Sequence, residues 1–167
     1  MILQKEFGSG LDDDDHHWIH QEYVPSLLEW GEIRVFVVTS GKTTGARVPR
    51  IVHAIVTKWN VARTGSRIHA GEIDETSSFE AGLSYQKLQE FVLETYSDIL
   101  AMGREEFDSL KVGARFDIGI SPEAEQFFVN EITRWYNADY FSSKTLGKPY
   151  EKICKLYAQA FYEVEVP

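Results

Sequence analysis

Gly31-Glu32-Ile33-Arg34-Val35-Phe36-Val37-Val38 is the stretch that decides how the rest of the chain is read. Its β-branched and aromatic residues favour an extended backbone. In a strand, successive side chains alternate between faces, so Ile33, Val35 and Val37 point one way and Glu32 and Arg34 the other. That predicts a sheet with an apolar face under cover and a charged face put to another use. Upstream, Trp18 to Val24 reads as a second extended segment, stopped by Pro25, with Ser26 to Gly31 as a loop. Ile2-Leu3 reads as a strand entering the turn Gly8-Ser9-Gly10.

Downstream, Ser40 to Pro49 is rich in Gly, Thr and Lys and reads as a hairpin connection to a partner strand, Ile51 to Lys58. Asn60 to Phe79 is polar and irregular, the pattern of a long surface loop. Ser84 is an N-cap for a helix reaching Ala101 or Met102, with Leu88, Phe91, Val92, Thr95 and Ile99 as its buried stripe. Ala114 to Ile120 and Gln126 to Thr133 form a hairpin around Ser121-Pro122-Glu123. Pro149 opens a last helix with Ile153, Leu156, Tyr157, Ala160 and Phe161 on its buried side. The class expected is α+β, a mainly antiparallel sheet with packed helices.

With 167 residues, 43% of them hydrophobic and 13% aromatic, the chain can build a core. Its net charge is −9, with scattered basic residues, which argues against nucleic acid or an anionic membrane as a partner. The lone Cys154 excludes an internal disulfide and reads as a small buried hydrophobe. No apolar run approaches the roughly 20 residues that cross a bilayer. Residues 1–5 lack the features of a signal peptide, so a cytoplasmic protein is expected. Asp12 to Asp15 with His16 and His17 reads as a solvated charged loop.

Three places could carry chemistry. On the late hairpin, Phe116, Ile118 and Ile120 share one face, leaving Arg115 and Asp117 on the other. Asp117 with Asn130 and Glu131 offers oxygen donors of the kind Mg2+ takes, or these are surface charges. Simple alternation sends Asn130 and Glu131 to opposite faces unless a bulge intervenes. Arg34 could grip a phosphate, or pair with Glu32 or an acid on the next strand. The extended segment at Gln21 to Val24 could offer adenine its backbone groups, or be an ordinary edge strand. Trp135, Tyr136, Tyr140 and Phe141 read as a latch for the last helix, with an acceptor pocket as the alternative.

Taken in order, Lys5 to Gly10, Gln21-Glu22-Tyr23-Val24, Gly31 to Val38, Asp117 and Asn130-Glu131 resemble the ATP-grasp family, over about residues 1–135. The resemblance implies the C-terminal, nucleotide-binding half of that fold. Residues 1–25 would supply a strand, a phosphate-loop-like turn and the adenine linker, and residues 26–167 the C-terminal subdomain. It also implies ATP and Mg2+ as cofactors. Lys5 would contact phosphates and Gln21, Glu22, Tyr23 and Val24 adenine. Arg34 would act on the phosphate or acyl-phosphate, and Asp117, Glu131 and Asn130 would hold the metal. The activity implied is ATP-dependent carboxylate–amine ligation of an unidentified small-molecule or peptide substrate. The missing N-terminal half would be supplied in cis or in trans. The alternative is a non-catalytic relative that binds nucleotide or protein. One departure from the family order is visible: Asn130 precedes Glu131, and Thr133 stands where the family's Asn is expected.

Overall fold

The computed structural model describes residues 24–40, 48–62, 65–137 and 149–165. They form a short helix α1 (Pro25–Glu29), strands β1 (Glu32–Ser40), β2 (Val48–Ala62) and β3 (Gly65–Glu72), helix α2 (Tyr85–Ala101), strands β4 (Gly113–Ser121) and β5 (Gln126–Arg134), and helix α3 (Pro149–Glu165). The five strands make one antiparallel sheet in the order β3-β2-β1-β4-β5. The class is therefore α+β, as the alternating and helical patterns imply.

Alternation along the central strands divides the core in two. Ile33, Val35 and Val37 of β1 and Ala114, Phe116, Ile118 and Ile120 of β4 pack beneath Leu88, Val92 and Tyr96 of α2. On the opposite face, Phe36, Val38, Ile55 and Val112 pack beneath Ile153, Tyr157 and Ala160 of α3. The Tyr157 hydroxyl donates to the Ala114 carbonyl at 2.9 Å, tying α3 to β4.

Helix α2 begins where Ser84 predicts. The Ser84 hydroxyl accepts from the Lys87 N–H at 3.3 Å, satisfying one donor of the first turn. Ser84→Ala is expected to cost about 1 kcal/mol, the usual worth of such a cap, with Ser84→Gly milder. Urea denaturation of both variants checks this, and a loss for Ala no larger than for Gly would contradict it. The buried stripe is Leu88, Val92 and Tyr96, with Phe91 and Ile99 at its margins. Tyr96 belongs to it because its ring meets Phe116 edge-on and its hydroxyl donates to the Leu110 carbonyl.

Three expectations need correcting. Ser26 to Gly31 is not a plain loop, since Pro25 opens the single-turn helix α1, too short to show a period. Nor is Asn60 to Phe79 a long loop. β2 continues to Ala62, and β3 returns along it from Ala62↔Gly65 to Ile55↔Glu72. Pairing with β2 supplies the backbone bonds, so this edge strand forms without an apolar pattern of its own. What remains is a short turn, in which the Asp74 carboxylate accepts from the Thr76 N–H at 2.9 Å and the Thr76 hydroxyl at 2.7 Å. Cys154 is half-buried rather than buried, because it lies beside the α3 stripe of Ile153 and Tyr157 and not within it.

Candidate functional site

β1 and β4 pair so that Arg34 lies opposite Asp117, and β4 and β5 so that Asp117 lies opposite Glu131. Three residues singled out from the sequence thus stand in one line across three neighbouring strands. They occupy the same face of the sheet as α3, because the apolar residues that alternate with them pack on the α2 side.

β5 carries the bulge that simple alternation could not supply. Asp117 pairs with Glu131 and Ile118 with Val129, leaving Asn130 as the extra residue. Its amide Nδ2 donates to Glu32 Oε1 at 2.7 Å, spanning β4. Glu131 is bonded toward Asp117, since the Thr133 hydroxyl donates to Glu131 Oε1 at 2.8 Å and Arg115, which holds Asp117, donates to that hydroxyl at 3.1 Å. Asn130 and Glu131 therefore share the face that Asp117 occupies.

At the centre, Arg115 grips Asp117 with two parallel bonds of 2.7 Å, Nε to Oδ1 and Nη2 to Oδ2. The two residues are 5% and 1% exposed, so the pair is desolvated. Burial pushes the Asp117 carboxyl above its ordinary range, with the Arg115 hydrogen bonds and charge acting against it. Arg115 is held above its ordinary range despite its burial, by its hydrogen bond to Asp117 and by the charges of Asp117, Glu131 and Glu32. Arg34 leans on Glu32, Nη2 to Oε2 at 3.4 Å, while its Nε is buried and without a hydrogen-bond partner among the described residues. With every group ionised, Glu32, Asp117 and Glu131 outweigh Arg34 and Arg115 by one charge.

Of the other expected site residues, Val24 caps α1 in an extended conformation, and its carbonyl accepts from the Leu27 N–H at 3.2 Å. Lys5, Gln21, Glu22 and Tyr23 lie outside the described residues, as do Asp12 to His17, Tyr140 and Phe141. Glu32, Arg115 and Thr133 are members that sequence reasoning did not assign to the site. The signal was there in spacing: Glu32 and Arg34, Arg115 and Asp117, and Glu131 and Thr133 are each two apart, hence on one face of a strand. Trp135 packs beside the α3 cluster, as a latch would.

Among the described residues, no group of three His, Cys, Asp or Glu side chains is placed to hold a metal ion. Each acid of the line is already bonded within the protein, but an ionised carboxylate has about four lone-pair sites, so oxygen donors remain at Asp117 and Glu131. A cavity of about 480 Å³ opens on the α2 side of the sheet, between Trp30, Ile33, Val56, Lys58, Phe79 and Ile120. It touches none of the residues above. The groups suited to an anion or a cation converge on the charged face, and the site is placed there.

The fold and this charged line define an α+β protein with a polar, partly buried site on an antiparallel sheet. In comparisons with models of protein families, with curated proteins and with solved structures, the chain matches none. Among the described residues, no helix is long and apolar enough to cross a membrane.

Proposed function

We propose that the charged face is the Mg-ATP site of an ATP-grasp-like domain from a cytoplasmic carboxylate–amine ligase. The observation that carries this reading is the line Arg34–Asp117–Glu131 across β1, β4 and β5, an arginine and two carboxylates aligned by strand register. Mg2+ is commonly held by one or two carboxylates, with phosphate oxygens and water completing its shell. Asp117 and Glu131 fit that role as a pair, and the amide oxygen of Asn130 stays available because its nitrogen is committed to Glu32. The Nε of Arg34, buried and without a hydrogen-bond partner among the described residues, is a donor suited to a phosphate or acyl-phosphate oxygen. The excess negative charge of the cluster opposes a bare polyphosphate, so nucleotide binding here requires a divalent cation. Held by Asp117 and Glu131, Mg2+ would neutralise charge on the γ-phosphate as it passes to a carboxylate with release of ADP, an amine then displacing phosphate. Arg34 would orient the phosphate, and Arg115, bonded to both Asp117 oxygens, would hold that carboxylate in place for its ligand role.

Mg-ADP at a hundred times its dissociation constant should stabilise the chain by about 2.7 kcal/mol. That is a rise in Tm of roughly 5 to 10 °C for a protein of this size. EDTA, Asp117→Asn and Glu131→Gln should each abolish it. A wild-type chain indifferent to millimolar Mg-ADP sinks the reading. A second reading has its own support: both Asp117 oxygens are engaged by Arg115, as in a charge cluster that is self-sufficient. In that case the domain is a non-catalytic relative that binds nucleotide or protein, and Asp117→Asn and Glu131→Gln would leave any Mg-ADP stabilisation unchanged.

A further inference from the structure

We infer that Glu32 is the positioning residue that sets the metal-ligand segment of β5. This deepens the Mg-ATP reading and rests on it. By the ordinary two-residue period, only one of Asn130 and Glu131 can face the line, and the bulge at Asn130 removes that conflict. A bulge leaves one residue outside the backbone ladder, so something else must hold it. Here the Asn130 side chain is held by Glu32 Oε1 at 2.7 Å, from a strand two places away. Glu32 is itself held from three directions. Its backbone carbonyl accepts from the Thr57 hydroxyl at 3.2 Å, its Oε2 faces Arg34, and its backbone pairs with Thr57 on β2. One carboxylate therefore fixes two things at once: the rotamer of Asn130 beside Glu131, and the direction in which Arg34 presents its Nε. The charged bond from Asn130 to Glu32 also decides which way the amide lies, nitrogen to Glu32 and oxygen outward. Glu32 touches neither nucleotide nor metal in this role; it acts through Asn130 and Arg34.

A double-mutant cycle of Glu32→Ala and Asn130→Ala in the full chain tests this, read as the dissociation constant for Mg-ADP. Removing a residue that orients a metal ligand typically weakens binding about 10- to 100-fold. Each single variant should lose affinity on that scale, and the double variant no more than the worse single one. Glu32→Gln keeps an acceptor oxygen for Asn130 and should recover most of the loss. Additive losses, or a Glu32→Gln as damaging as Glu32→Ala, overturn the inference. The Asn130 side-chain amide resonances supply a readout that needs no nucleotide. They should shift in Glu32→Ala and stay near the wild-type position in Glu32→Gln, and unmoved resonances in Glu32→Ala overturn the inference too. If the wild-type chain fails to bind Mg-ADP, the functional reading falls, and the resonances alone still decide whether Glu32 positions Asn130.

Discussion

Asp117→Ala is expected to remove about 3 to 5 kcal/mol of folding stability, because it breaks a buried ion pair from one side only. The guanidinium of Arg115, in its 5% exposed position, would lose both of its bonds to that carboxylate. Taking one member out of a desolvated pair is the costly change, whereas an intact pair is close to neutral against an apolar substitute. The double replacement Arg115→Met with Asp117→Leu should therefore be far more stable than Asp117→Ala alone, within about 1 kcal/mol of wild type. Guanidinium denaturation of the three proteins decides it, and a loss below 1 kcal/mol for Asp117→Ala would show that the pair is not desolvated in solution. The dependence on pH has a definite sign. The folded Asp117 binds its proton more tightly than the unfolded one, so its contribution is largest below the ordinary carboxylate pKa. It declines as pH rises through the folded value. Acid lability of the protein should consequently owe nothing to Asp117.

Gly31→Val is expected to destabilise by about 3 kcal/mol, combining backbone strain with overpacking. Gly31 has φ +87°, a conformation L side chains rarely adopt, and a β-carbon there would lie 2.5 Å from the Thr57 carbonyl oxygen. That oxygen belongs to the β2 residue that pairs with Glu32, so it cannot step aside without disturbing the start of β1. Gly103 provides the control. It too has positive φ, +63°, but open space where a β-carbon would go, so Gly103→Ala should show the strain alone, about 1 kcal/mol. Equal losses at the two positions would refute the steric part. Because Glu32 follows directly, Gly31→Val should also weaken the Mg-ADP binding proposed for this face.

The central sheet was legible because its information is local. Ile33, Val35 and Val37, and Phe116, Ile118 and Ile120, alternate without interruption, and the charged residues between them had only one face to go to. The last two helices announced themselves through Ser84 and Pro149. β3 did not, because Gly65 to Glu72 owes its strand to β2 beside it rather than to its own residues. At the site, Arg34, Asp117, Asn130 and Glu131 were found by residue type and spacing. Their convergence needed the register between β1 and β4, which no local pattern encodes. The bulge was visible only as a condition, since alternation alone separates Asn130 from Glu131. Glu32 and Arg115 were placed on the right face but not given a role, because their partners lie on other strands or depend on burial.

The strand order has a consequence for how this face comes into existence. β1 with β2, and β4 with β5, are each joined by short connections and can pair early, whereas β1 meets β4 only after the intervening stretch with α2 has been placed. Arg34 and Asp117 lie on opposite sides of that seam, and Glu32 and Asn130 are 98 positions apart across it. A chain that has formed both hairpins but left the seam open carries the right residues and no site. The charged face is thus a record of completed folding, and whatever binds there draws the population toward the closed sheet and away from its half-assembled forms.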